Sequence, residues 1–148
     1  MRSTHPSTCA GLMLLMVIAI AGLGAAPPPD PCALVTKADA EKLAGEPMQD
    51  AGRGPQTCAY GPPEGGLPRV EVYVGDPSQR YLTIEQSQGR KFRTLSGAGD
   101  EAFVSDATAL LFIKKSDLLV AVRYVTLSDE AEYRKRFEDL ARVIAGRI

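Results

Sequence analysis

Apolar and polar side chains alternate strictly along residues 69–74, RVEVYV. Because successive side chains of an extended chain point to opposite faces, Val70, Val72 and Val74 share one face and the more polar positions share the other. A period of two is typical of a strand that buries one face only. The pattern therefore predicts a half-buried strand.

Residues 36–45 carry the start and stop signals of a helix. Thr36 is a good N-cap, and Asp39 three residues later makes an approximate capping box. Gly45 suits the left-handed position after the last turn, and Pro47 cannot continue the helix. These signals predict a short first helix.

Two longer helices are predicted further along the chain. Residues 76–89 begin with Asp76 as N-cap and a proline at the first helical position. The side chains predicted to turn inward are those of Tyr81, Leu82 and Ile84. Residues 128–148 begin with Ser128 as N-cap and carry one apolar stripe at helical spacing: Tyr133, Phe137, Leu140, Ala141, Ile144 and Ile148.

The other apolar segments are short, as strands are. Strands are predicted in residues 57–61, 91–97 and 100–106, and a hairpin in 109–125 that turns at Ser116 and Asp117. Residues 46–56 are polar and predict a loop. The resulting order predicts an α+β fold, with helices packed on an antiparallel sheet in a single domain over residues 30–148.

Residues 1–26 have the parts of a cleaved signal peptide. Arg2 supplies weak positive charge, residues 11–24 form an apolar core, and small residues follow. The apolar run is shorter than the roughly 20 residues that a spanning helix needs, although an uncleaved anchor is the alternative. Cys9 precedes the apolar run and is not placed for lipidation. A periplasmic or secreted protein of the bacterial envelope is predicted, without a stable membrane span after cleavage.

Two cysteines, Cys32 and Cys58, remain after removal of the leader. Exported proteins meet an oxidising environment, so this pair predicts a structural disulfide. A zinc site is not favoured, because the mature chain offers two distant cysteines and no histidine. A redox pair would normally have the C-x-x-C spacing, which is absent. Two free buried thiols are the alternative.

The charges and the missing histidine exclude several kinds of function. The chain has 17 basic and 18 acidic residues, and loss of Arg2 makes the mature chain slightly more acidic, so no affinity for nucleic acid is expected. The only histidine, His5, lies in the leader. This excludes histidine-dependent triads and the usual zinc hydrolase sites. No cofactor or metal motif is present, and no cofactor or metal is predicted.

Carboxylate chemistry is the one catalytic route left open. Asp100 and Glu101 follow the turn SGAG, where they could lie at the lip of a cleft. Adjacent strand residues point to opposite faces, however, so the two acids are poorly placed to act as a pair. A turn followed by a solvated strand start is the simpler interpretation. No catalytic residue is assigned.

Basic and aromatic residues give weaker signals for binding. The densest basic patch comprises Arg80, Arg90, Lys91 and Arg93. It could meet an anionic surface, but a solvated helix end is the simpler interpretation. The tyrosines that could form a binding surface on the sheet, with core packing as the alternative, are Tyr60, Tyr73 and Tyr124.

The motifs together resemble a loose family of exported bacterial proteins of unknown function, many of them lipoproteins. The family pattern is D-x-C-x-L-[LV]-[TS], then C-x-Y, then G-x-G-D-x-A. The matching residues are Asp30, Cys32, Leu34, Val35, Thr36, Gly45, Cys58, Tyr60, Gly97, Gly99, Asp100 and Ala102. The resemblance implies a PsbP-like α/β sandwich and brings no known activity. This chain departs from the lipoprotein members because no cysteine follows the apolar run.

These features favour a non-enzymatic module that binds an envelope protein or a small apolar or anionic ligand. A carboxylate-using enzyme or enzyme accessory centred on Asp100 or Glu101 is one alternative. A steric inhibitor or structural envelope protein is the other.

The leader can be tested directly by mass spectrometry of the protein from its native envelope. We expect the mature chain to start between Ala25 and Pro27 without an acyl chain, because the small residues that signal peptidase needs end there. An intact Met1 on a membrane-bound form would show that the segment is an anchor.

Overall fold

The computed structural model describes Met1, residues 26–105 and residues 107–148. Most of the predicted leader, including His5 and Cys9, lies outside the described residues. The elements are α1 Pro31–Leu34, α2 Lys37–Ala44, β1 Gln49–Gly54, β2 Thr57–Gly61, β3 Arg69–Val74, α3 Asp76–Ser87, β4 Phe92–Thr94, β5 Glu101–Ser105, β6 Leu110–Lys115, β7 Leu118–Val125 and α4 Glu130–Arg147.

The seven strands form one antiparallel sheet in the order β1-β2-β3-β7-β6-β5-β4. Strands β1 to β3 make one meander, and β4 to β7 make another. The two meet where β7 pairs with β3, in a register that runs from Arg69 opposite Val125 to Val74 opposite Val120. This sheet with its helices confirms the predicted α+β class.

One face of the sheet carries the main core. Val70, Val72 and Val74 are fully buried there, as their alternation predicts. Helices α1, α2 and α4 cover this face, and α4 contributes the predicted apolar stripe. Its buried members are Tyr133, Phe137, Leu140, Ala141 and Ile144. No helix among the described residues combines the length and the apolar character that crossing a membrane requires.

The second face is covered by α3 alone among the described helices. A smaller apolar cluster lies on this face, with Leu110, Phe112 and Ala121 buried at its centre. Tyr81 and Leu82 of α3 pack against the cluster. The two faces therefore differ in how much helix protects them.

The start of the domain is attached to β2 in two ways. Cys32 of α1 and Cys58 of β2 form the predicted disulfide, with their Cα atoms 5.3 Å apart. Two residues after Cys58, the buried hydroxyl of Tyr60 donates a hydrogen bond to the carbonyl of Val35 at 2.8 Å. Since Cys58 and Tyr60 share the core face of β2, the C-x-Y motif fixes both ends of the α1 segment.

Helix α4 returns to the same region. Near its end, Arg147 donates to the carbonyl of Leu34 at 2.8 Å and to the carboxylate of Asp39. Asp39 also closes the capping box with Thr36 that the sequence predicts. Burial raises the pKa of Asp39, but the hydrogen bonds from Arg147 and Thr36 outweigh burial and leave that pKa below its usual value.

Three details of the predicted elements were wrong. Residues 46–56 were predicted as a loop, but they contain β1, a strand at the sheet edge whose side chains are mostly exposed; such a strand has no apolar alternation to detect. Ile84 of α3 is 48 % exposed, so it does not face inward. The N-caps of α3 and α4 are Gly75 and Asp129, each one residue from the predicted cap.

We expect Cys58→Ser to lower the midpoint of thermal unfolding strongly, because losing a native bridge in a small secreted domain costs about 2–5 kcal/mol. Calorimetry of the oxidised protein and the variant measures the effect. The Cys32→Ser/Cys58→Ser double variant should match the single variant. Two titratable thiols in the non-reduced protein would show that the bridge is absent from solution.

The contact between Asp39 and Arg147 predicts a pH-dependent stability. A folded pKa below the reference value of 3.8 adds stability that is complete above that pH and is lost as the pH falls through the folded pKa. Asp39→Asn should therefore be less stable than the native protein at pH 7, by about 1.5–3 kcal/mol, and this difference should shrink below pH 3.8.

Urea unfolding at several pH values measures this difference. Asp139→Asn is the matched control, because it removes only exposed pairs with Lys135 and Arg142, and such pairs contribute about 0.2–1 kcal/mol. A difference for Asp39→Asn that does not change with pH would contradict the assigned ion pair.

Candidate functional site

Helix α3 leaves a groove on one side of the second sheet face, which we call the aromatic groove. Its apolar lining consists of Leu82 from α3, Phe92 from β4, Phe103 from β5 and Leu119 from β7. The groove has a volume of about 440 Å³. All four of these side chains are half-buried, so each keeps some surface accessible to a ligand.

The floor of the aromatic groove is built from packed phenylalanine rings. The ring centres of Phe92 and Phe103 lie 5.2 Å apart, edge to face. Phe103 also stacks on the fully buried Phe112 at 5.3 Å. Ring pairs in these arrangements hold one another in place. The floor is therefore an ordered apolar surface whose shape is set before any ligand arrives.

The rim of the aromatic groove is polar and has one excess negative charge, because Glu101 and Asp117 are accompanied by one cation, Lys114. Gln79 and Gln86 of α3 face Thr94 of β4 across the opening. Lys114 lies 3.8 Å from Glu101, but both side chains are at least half exposed, so water screens their attraction. The rim offers hydrogen bonds rather than a strong charge of one sign.

A second cavity, of about 430 Å³, lies on the side of α3 that Tyr81 and Glu85 face. We call it the Glu85 pocket. Glu85 is only 4 % exposed. Its Oε2 atom accepts a short hydrogen bond from the Ser105 hydroxyl and another, of 2.9 Å, from the Thr108 hydroxyl. Acidic side chains are rarely this buried unless they are paired. The stability of the domain therefore does not explain a carboxylate in the wall of a cavity.

A chain of hydroxyl groups borders the Glu85 pocket. Tyr81 donates to the hydroxyl of Tyr73 at 3.1 Å, and Tyr73 donates to Glu71 at 2.9 Å. Burial and the hydrogen bonds with Tyr81 and Glu71 raise the pKa of the Tyr73 phenol well above its usual value. Tyr73 therefore stays protonated and acts as a donor. Glu71 also accepts a hydrogen bond of 3.4 Å from the guanidinium of Arg123.

The two acids considered from sequence are not brought together as a pair. The Asp100 carboxylate accepts from the backbone N–H of Ser116 at 2.7 Å, which ties it to the β6–β7 turn. Glu101 lies on the exposed start of β5 at the rim of the aromatic groove. At Gly99, a Cβ atom would lie 2.6 Å from the carbonyl oxygen of Lys114. Gly99 therefore allows the backbone of this turn to lie close to the backbone of β6.

The basic patch considered from sequence is divided between surfaces. Arg93 lies opposite Val104 on the core face and pairs with Glu130 and Glu138 of α4, at 3.3 Å and 3.0 Å. Arg90 and Lys91 stay exposed near the end of α3. Arg93 is therefore held by ion pairs within the fold and is not part of an exposed basic patch.

The tyrosines considered as a binding surface have different surroundings. Tyr60 and Tyr124 are buried in the main core, at 2 % and 4 % exposure. Only Tyr73 lies on the second face, where it packs against Tyr81 with ring centres 4.6 Å apart. Phe92 and Phe103, which sequence reasoning treated only as strand residues, line the groove instead.

Glu85 was also missed, although the sequence contained a signal for it. On a helix, positions 78, 81, 82 and 85 share one face, and Glu85 is the only charged residue of that set. Ser78 and Glu85 are the buried residues of α3. The inward set predicted from the sequence included Ile84 and did not include Glu85.

Comparisons with protein-family models, curated proteins and solved structures find no match to this chain. Within residues 26–105 and 107–148, no cluster of three or more histidine, cysteine, aspartate or glutamate residues is placed to hold a metal ion. The functional interpretation therefore depends on the geometry of the second sheet face.

Proposed function

We propose that this protein is an exported binding module whose aromatic groove holds a small, mainly apolar molecule with a hydrogen-bonding end. The observation that carries the proposal is the half-covered second face, where ordered phenylalanine rings form the floor of an open groove. Natural ligand sites have volumes of about 300–1,000 Å³ and combine apolar walls with a few polar groups. The aromatic groove has both properties.

The polarity of the groove indicates the kind of ligand. Phe92, Phe103 and Leu119 would contact a ring or a short hydrocarbon chain. Gln79 and Gln86 can each donate and accept hydrogen bonds, so they would suit a hydroxyl, carbonyl or amide group on that ligand. Lys114 is already near Glu101. An anionic ligand therefore has weaker support than a neutral one.

The predicted leader and the disulfide support a location outside the cytoplasm. Disulfides persist in oxidising compartments such as the bacterial periplasm. The resemblance to exported bacterial proteins agrees with this location, and the family membership and its PsbP-like sandwich remain predictions. We propose a periplasmic or secreted protein of the cell envelope.

Two other functions have less support from the geometry. Catalysis by Asp100 or Glu101 would require an acid in a cleft with a partner group, and Asp100 instead holds a backbone turn. Binding of a protein strand at the sheet edge is disfavoured at β1, where a bulge lies between Asp50 and Gly52, since bulges are a common means of preventing edge pairing.

Fluorescence titration with the neutral apolar dye N-phenyl-1-naphthylamine tests the aromatic groove. The native protein should bind it saturably. Thr94→Trp should weaken binding about tenfold or more, which corresponds to about 1.4 kcal/mol. Thr94 is an exposed rim residue, so the added ring would occupy the groove without removing a core contact.

Thr83→Trp is the matched control, because Thr83 is exposed on α3 and does not line the aromatic groove. It should leave dye affinity unchanged. Both variants should unfold at the temperature of the native protein. Equal dye affinity in Thr94→Trp and the native protein, or no saturable binding to either, would overturn the proposed site.

A further inference from the structure

Glu85 is a buried carboxylate without a cationic partner among the described residues. Acidic side chains are almost never fully buried unless they are paired, and an isolated charge away from water is costly. The described groups that reach the carboxylate of Glu85 are the neutral hydroxyls of Ser105 and Thr108. Its negative charge therefore lacks an opposite charge within the described fold.

The hydrogen bonds of Glu85 are also one-sided. Both hydroxyls donate to Oε2, and no described side chain or backbone group donates to Oε1. Glu85 lines a cavity of about 430 Å³. A carboxylate has about four acceptor positions. The cavity therefore borders an acid that can accept further hydrogen bonds from a bound molecule.

Three aromatic rings line the same cavity, those of Tyr81, Tyr124 and Tyr133. Tyr124 and Tyr133 pack edge to face with their centres 5.2 Å apart. The face of a tyrosine ring attracts a cation within about 6 Å. Tyr124 and Tyr133 belong to the main core on the other face of the sheet. Tyr81 lies one helical turn before Glu85 on α3, so its ring is the one placed to favour a positive charge beside the carboxylate.

Arg123 is the described cation that lines the pocket, and it is engaged elsewhere. Its guanidinium lies 3.4 Å from Glu71, whose side chain is only 16 % exposed. Glu71 pairs with Arg123 and also lies 3.9 Å from Arg69. Glu85, by contrast, has no ion-pair partner among the described residues.

We propose that the Glu85 pocket binds the primary ammonium group of a small organic molecule. The ammonium donates to Oε1 of Glu85, and the ring of Tyr81 contacts the carbon atoms next to the nitrogen. A charge-assisted hydrogen bond of this kind is about twice as strong as a neutral one. No bond is made or broken in the bound molecule.

This site is separate from the aromatic groove, because the residues that line the two cavities differ. Failure of one proposal leaves the other unaffected. Backbone amide shifts in nuclear magnetic resonance spectra distinguish the two cavities, since Thr108 lines the Glu85 pocket and Thr94 lines the aromatic groove.

Titration of the isotope-labelled native protein with benzylamine at neutral pH tests the proposal. We expect saturable shifts at Ser105 and Thr108. Benzyl alcohol has the same shape without the charge, and it should bind there about tenfold more weakly or not at all. Equal shifts at Ser105 and Thr108 with the alcohol and the amine would overturn the proposal, and this comparison needs no variant.

Glu85→Gln provides the second test. The amide keeps the shape of the side chain and still accepts from Ser105 and Thr108, but it removes the charge. Amine binding at Thr108 should fall about tenfold or more. Glu64→Gln makes the same charge change at an exposed loop position and should bind as the native protein does. Unchanged amine affinity in a folded Glu85→Gln protein would overturn the proposal.

Discussion

A seven-stranded sheet has two faces to protect from water, and this chain has enough helix to cover one of them well. Helices α1, α2 and α4 share the first face, and α3 is alone among the described helices on the second. Because a single helix is about 10 Å wide and neighbouring strands lie about 4.8 Å apart, α3 covers only two or three strands. The cavities beside α3 follow from this shortage.

The well-covered face is held by contacts that join distant parts of the chain. Cys58 and Tyr60 tie the first residues of the domain to β2 by a covalent bond and a buried hydrogen bond. Arg147 brings the last turn of α4 to the cap of α2. Most other ion pairs lie on the surface, where each contributes little.

The sequence predicted those parts of the fold in which local pattern and burial agree. Val70, Val72 and Val74 alternate because one face of β3 is buried, and Thr36 and Gly45 bound α2 through backbone geometry that few other residues satisfy. Strand β1 was not predicted, because an edge strand with exposed side chains needs no apolar residues. The two cavities could not be predicted, since their walls come from α3, α4 and four separate strands. Only Glu85 had a local signal, as the single charge on the inward stripe of its helix.

The strand order also has a consequence for how the domain can be made. Cys32 of α1 and Cys58 of β2 both precede β3 in the chain, so their cross-link can form while the later residues are still being synthesised. The inner edge of β3 then has no partner until β7 arrives, about fifty residues later in the chain. During that interval the unpaired backbone groups of Arg69 to Val74 can form hydrogen bonds with a strand of another chain. A delay in synthesis of the C-terminal half would leave the most apolar strand of the first half exposed, so the rate of synthesis sets how long the chain is vulnerable to aggregation.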